Sequence, residues 1–313
     1  MSIQRPGGTI PGLFAIGVLL SACNGGSVAL AHGSMTTNWQ SVSPSAKFEE
    51  LAVGGYVSVP YVTLYNNKYQ VIQTLLYGLI QPFSVWFDNK ENVYVANINR
   101  GGCNGVYEFP PEGSAPIFEY TGESCAPFDV KTDKNQNVYV ANNWGNAVIE
   151  YAQQNNTPIE YCNPLPSPSA VAIDSSNGNV FVAYYNTAPI AEFAGGLSGC
   201  SYTNLSPFGS WGWISSITGM LVDQKGNLVA VDGSHATVDI IPPPYTKIKA
   251  YIGRGVFKTP NQIALNERQD LLFVADNGLG KVFLVKYPSG KIMHKSISSP
   301  GVTSVAAYPS QQE

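Results

Sequence analysis

A chain of 313 residues with only 12% charged side chains and a formal net charge of -4 has no basic footprint for nucleic acid and no polybasic run for an anionic membrane surface. Hydrophobic residues make up 44% of the chain, and Gly, Pro, Asn, Ser and Tyr are abundant, which suits short strands joined by many turns rather than helices.

The amino-terminal segment is written differently from the rest. Arg5 precedes an apolar run from Leu13 to Leu20, too short to span a bilayer, and Leu20, Ser21, Ala22 and Cys23 follow it directly. This tetrapeptide resembles the lipobox of bacterial lipoproteins. The resemblance implies that residues 1–23 are a lipoprotein signal segment with its lipobox at Cys23, that the part before the cysteine is removed, that Cys23 is acylated, and that more than one acyl chain anchors the exported protein stably. Asn24 in the next position implies onward sorting to an outer membrane or the cell surface. Residues 24–50, rich in Ser, Gly, Ala, Thr and Asn without periodicity, are expected to be a tether, and residues 51–313 a folded domain.

Within that domain the hexapeptide from Asn92 to Asn97 returns unchanged from Asn137 to Asn142. The unit is larger than the hexapeptide: Pro82 to Asp88 precedes the first copy and Pro127 to Asp133 the second. Related copies run from Pro168 to Tyr184, from Ile217 to Asp232 and from Pro260 to Asp276, with Ile217 in place of the opening proline. A further short apolar segment follows each copy, such as Val106 to Phe109 or Val148 to Tyr151. Three or four short strands in about forty residues is the period of a propeller blade. Val93 and Val95 alternate with Tyr94 and Ala96, so both faces of this strand are apolar and both require a neighbouring sheet. A ring of blades meets that requirement for every unit at once.

Ring closure predicts that one blade is shared between the chain ends. Residues from Pro300 to Tyr308 read as a first strand after which the chain stops. The three missing strands are expected at Gly55 to Val59, Tyr61 to Tyr65 and Tyr69 to Leu75. The predicted fold is therefore all-β, a six-bladed propeller closed by a carboxy-terminal strand. The pattern Pro-x-x-Val-Ala-x-Asp, turn, Asn-Val-Tyr-Val-Ala-Asn/Asp resembles the NHL-repeat propellers, and the architecture is similar to that of streptogramin lyases and gluconolactonase-like hydrolases. The motif specifies fold better than function.

The resemblance places the ligand face on the rim formed by the turns between second and third strands and the loops entering the first strands. Candidate ligand residues there are Asn97, Asp129, Asn142, Tyr184, Asp232, Asn261 and Asp276. The oxygens of Asp129, Asp232 and Asp276 with those of Asn97, Asn142 and Asn261 suit Ca²⁺ or another divalent cation, and Asp129, Asp232 and Asp276 would carry a metal-dependent hydrolase or lyase. The opposing reading is that Asn and Asp end strands by bonding nearby backbone. His235, after Asp232, is placed as a general base beside a carboxylate. The lyases open a blade with Pro-His-Gly, whereas Phe83, Phe128, Ser169, Asn261 and Gly301 follow the prolines here; the channel glutamate of the hydrolases is also missing. Trp144, Tyr184, Tyr185, Trp211 and Trp213 offer aromatic surface for a peptide, protein or glycan. Phe83, Phe128 and Trp86 are expected to wedge neighbouring blades.

Setting Cys23 aside leaves Cys103, Cys125, Cys162 and Cys200, an even number in an exported chain. Cys103 and Cys125 fall on one rim of one blade and are the preferred pair; Cys162 with Cys200 then follows by elimination. The reading favoured by these residues is a lipid-anchored binding propeller, with the hydrolase or lyase as the alternative.

Overall fold

The computed structural model describes residues 50–309, except 99–104, 123, 164–165, 186–189 and 211. Cys23, Cys103 and Trp211 lie outside the described residues, as do the expected signal segment and nearly all of the tether. Among the described residues there is no α-helix. Six four-stranded antiparallel sheets form the six blades of a propeller.

Blade 1 is shared between the chain ends. Its innermost strand is Val302–Tyr308, followed outward by Glu50–Tyr56, Pro60–Asn66 and Val71–Leu75. The remaining blades open with Pro82–Phe87, Pro127–Thr132, Pro168–Ile173, Ile217–Val222 and Pro260–Leu265. Each innermost strand packs against the next, and the sixth returns to the first. The expected closure is therefore present, but its register is different. Val302–Tyr308 pairs with Glu50–Gly55, and residues 57–59 form a turn instead of a strand. The cause lies in Leu51, Ala52 and Val53. They are apolar on both faces and wholly buried, whereas Val57 and Val59 are exposed.

The apolar side chains sort into six clusters, one between each pair of neighbouring blades. The repeated strand shows how. Val93 and Val95 enter the cluster shared with blade 1, whereas Tyr94 and Ala96 enter that shared with blade 3. Likewise Phe181 and Ala183 face blade 5 while Val180 and Val182 face blade 3. Burial of each such side chain is worth about 1.5–3 kcal/mol, so a strand buried on both faces contributes twice to ring cohesion. The first residue of the hexapeptide has a separate task. Asp88 accepts from the backbone N–H groups of Lys90 and Asn92 at 2.8 and 2.9 Å, and Asn92 Nδ2 donates to its second oxygen at 2.8 Å. Asp133 with Asn137 and Asp223 with Asn227 repeat this turn on the same rim. The recurring Asp and Asn thus fold the turn between first and second strands.

Polar side chains bridge all six blade junctions near the axis. Thr303 Oγ1 donates to Pro82 O at 2.7 Å, Ser84 Oγ to Asp129 Oδ1 at 2.6 Å, and Asn143 Nδ2 to Pro168 O at 3.0 Å. Ser169 Oγ donates to Ile217 O at 2.6 Å, Thr218 Oγ1 to Asn261 O at 2.7 Å, and Asn277 Nδ2 to Val302 O at 2.9 Å. A disulfide adds a covalent link at the periphery. Cys162 ends the outermost strand of blade 3 and is bonded to Cys200, in a 3₁₀ turn leading to the outermost strand of blade 4, with Cα atoms 5.3 Å apart. Cys125 is also disulfide-bonded.

Candidate binding rim

The antiparallel order of each blade puts the turn between its second and third strands, and the loop leading to the next blade, on one rim. The sequence-predicted oxygen donors lie here, and Asn97, Asn142, Asp129, Asp232 and Asp276 use their side-chain oxygens internally. Asn97 is fully buried; its Oδ1 accepts from the N–H groups of Ile80 and Gln81 at 2.9 and 3.1 Å, and its Nδ2 donates to Gly78 O at 2.9 Å. Asn142 Oδ1 accepts from Cys125 N at 2.6 Å. Asp276 accepts from Lys258 N and Thr259 N at 2.7 and 3.0 Å. Asn97, Asn142 and Asp276, each at the end of a second strand, therefore pin the loop entering the first strand of their own blade. An oxygen with these partners saves a buried backbone N–H from going unpaired, which would cost about 1–3 kcal/mol.

Asp129 has another structural task. It accepts from Ser84 Oγ of blade 2, from Lys131 Nζ at 2.7 Å, and from Val171 N of blade 4 at 2.9 Å, so one buried carboxylate spans three blades. Asp129, Asp232 and Asp276 belong to blades 3, 5 and 6 with separate partners. Among the described residues no group of three or more His, Cys, Asp and Glu side chains is placed to hold a metal ion. The expected convergence of the three carboxylates is corrected accordingly: each is spent where its own strand ends or begins.

His235 does meet its carboxylate. Its Nδ1 lies 2.7 Å from Asp232 Oδ2 and 3.1 Å from Ser234 Oγ. Both partners converge on the same ring nitrogen, which differs from a relay, where the acid and the nucleophile use opposite nitrogens. Asp232 also accepts from Ser234 N at 2.9 Å, as the cap of its own turn. Nearby on the third strand, Asp239 was missed by sequence reasoning because it occupies an ordinary strand position. It is fully buried; Thr237 Oγ1 donates to its Oδ1 at 2.7 Å, and its Oδ2 has no hydrogen-bond partner. Burial, with a smaller contribution from Asp232, pushes its carboxyl up to about 7.

The aromatic residues divide. Trp144 and Tyr185 are 53% and 43% exposed on the rim. Tyr184 is instead buried in the cluster between blades 3 and 4, because it is the last residue of a strand flanked on both faces. Trp213 pairs through its backbone with Phe208 in a short hairpin between blades 4 and 5. Trp86 wedges blades 2 and 3 as expected. Phe83 and Phe128 do something else. They bridge the same blades with rings stacked at 4.5 Å, but both are half-buried and outside the core cluster. Each occupies a β-bulge. The pairing register of every innermost strand shifts near its start, leaving Phe83, Phe128, Ser169, Thr218, Asn261 and Thr303 in a ring at the channel mouth.

Most of the large apolar side chains exposed among the described residues also sit on this rim. Val57 and Val59 occupy the turn of blade 1; Leu76, Tyr77 and Ile80 the loop from blade 1 to blade 2; Val256 and Leu279 the loops of blades 5 and 6. The opposite rim carries exposed charges of both signs, among them Lys90, Glu112, Lys134, Glu267 and Arg268.

No protein-family model matches this chain, and no curated protein is significantly similar to it. Among solved structures, a chain from a crystal structure of a nidogen/laminin complex is similar with a TM-score of 0.68 and 12% identity, over 84% of this chain and 99% of that one. This likeness is one of fold.

Proposed function

We propose that the protein is an exported, lipid-anchored propeller of the NHL-repeat type that binds another protein or a peptide through the rim bearing Trp144 and Tyr185. The observation that carries this reading is the distribution of surface chemistry. Asn97, Asn142 and Asp276 at the strand ends are consumed in holding the loops, and most of the large apolar side chains exposed among the described residues gather on this rim. Exposed apolar area gathered on one face is characteristic of interaction surfaces. Propellers are common protein-binding scaffolds, and the similar chain comes from a complex. The lipobox-like segment ending in Cys23 supports the anchor.

Two experiments test this. Metabolic labelling with palmitate should mark the wild-type chain and fail to mark Cys23→Ser; equal labelling of both would remove the anchor from the reading. A photo-crosslinking amino acid at position 144 or 185, in cells producing the protein, should capture discrete adducts that the same probe at position 112 on the opposite rim does not. Indistinguishable adduct patterns from the two rims would defeat the binding assignment.

A further inference from the structure

The rim is also electrically lopsided, and this narrows what it fits. Among the described residues of its turns and loops there is no Asp or Glu. Asp232 and Asp276, where second strands meet the rim, are buried and hydrogen-bonded to the adjoining turns. The described cationic side chains of the rim are Arg254, Lys258 and Lys281, with His235 beside them, and all belong to blades 5 and 6. This is a chain with more acids than bases, 21 against 17, so the described part of the rim differs from the molecular average in sign as well as in amount.

Lys258 is held in place. Its backbone N–H is fixed by Asp276 at 2.7 Å, and its stem lies along the next turn, since a Cβ on Gly278 would come within 3.0 Å of Lys258 Cγ. Its ammonium group is thus carried over blade 6 by a stem packed on the surface. On the far side of the channel mouth, blades 1 to 4 present Tyr77, Ile80, the Phe83–Phe128 stack, Trp144 and Tyr185, with no charged side chain among the described loop residues.

We infer that the rim takes an extended segment of a second protein, with carboxylates over Lys258 and Lys281 and apolar or aromatic side chains over Tyr77, Phe83, Phe128 and Trp144. This rests on the binding reading above and gives it a direction. Charge complementarity names one end of the ligand, since a positive patch attracts and orients an acidic one. The aliphatic content of the other end favours polypeptide over glycan, because Leu76, Ile80 and Val59 gain from apolar side chains and little from hydroxylated rings. Segregation of the two chemistries also favours a ligand with distinct ends over a lipid surface, which offers both headgroup charge and acyl chain everywhere along its plane.

The test uses the full chain carrying Cys23→Ser, so that no acyl group mediates binding, panned against a display library of random peptides about twelve residues long, which span about 40 Å when extended. Enriched peptides should carry an acidic cluster separated from an aromatic or aliphatic one. A synthetic copy should bind at least about tenfold more weakly to the Lys258→Glu/Lys281→Glu variant, and wild-type binding should weaken with salt. The Tyr77→Ser/Trp144→Ser variant should lose a similar factor with the salt slope unchanged. Both variants should unfold at the wild-type temperature. Neutral or basic peptides that still require Tyr77 and Trp144 would overturn the acidic–apolar direction and leave rim binding standing. Failure of any peptide to depend on either variant would overturn both. Variant-sensitive sedimentation with phosphatidylglycerol vesicles, without peptide binding, would assign the rim to a membrane instead and overturn the inference.

Discussion

At the scale of single residues, the polar groups of this molecule are mostly architectural, and Asp239 stands apart from them. A carboxylate with one oxygen unpartnered between blades 4 and 5 resists ionisation, so its folded-state proton is held up to about 7. In the unfolded chain the same group titrates near 3.8. Between those values the unfolded state binds fewer protons than the folded one, so stability falls as pH rises from about 4 to about 7 and levels off above. The loss is on the order of 4 kcal/mol if the whole shift is expressed. Asp239→Asn keeps the acceptor for Thr237 and abolishes the titration. Its urea midpoint relative to wild type should therefore improve between pH 5 and pH 8, by the equivalent of at least about 2 kcal/mol. An unchanged difference at the two pH values would show that Asp239 does not titrate in this window.

At the scale of elements, each blade is a conventional antiparallel sheet, and the informative contacts are those between blades. Six polar bridges near the axis and six apolar clusters farther out link neighbours, and the junction of blades 3 and 4 also carries the Cys162–Cys200 disulfide. Cys162 and Cys200 are 38 positions apart, so their bond restricts the unfolded chain substantially. The double variant Cys162→Ser/Cys200→Ser should be destabilised by about 3–4 kcal/mol, read as a lower midpoint in denaturant. A midpoint unchanged from the wild type would indicate that the blades hold this junction without it. The polar bridges explain a feature of the sequence that apolar periodicity does not. The position after the blade-opening residue is Ser169, Thr218 or Thr303 where a hydroxyl reaches the next blade, and Phe83 or Phe128 where rings stack instead.

At the scale of the whole molecule, closure is the central constraint. Val302, Val305, Ala306 and Ala307 supply apolar surface to the clusters on both sides of blade 1, and the strand containing them pairs with Glu50–Gly55. A chain ending at Pro300 would expose those surfaces and leave a strand edge open to pairing with other molecules. Such a truncation should show no cooperative thermal unfolding and should associate with itself; a soluble monomer with the wild-type transition would contradict closure by this strand. The ring also creates the rim, since side chains from separate repeats become neighbours only when the circle is complete.

The sequence by itself determined the repeat, the blade count, the all-β class and the sharing of one blade between the termini, because each rests on local alternation of apolar residues that must be buried on both faces. It also contained the right disulfide partner for Cys162. Tertiary structure alone decided the register of Leu51 to Gly55, the burial of Tyr184, the half-exposed stack of Phe83 on Phe128, and the separation of Asp129, Asp232 and Asp276. Those depend on which blade faces which and on where a bulge falls, and a pattern read along one strand carries no record of its neighbour across the axis. The uneven rim belongs to the same class: Lys258 and Trp144 lie 114 positions apart in the chain, and only the ring places them on one surface.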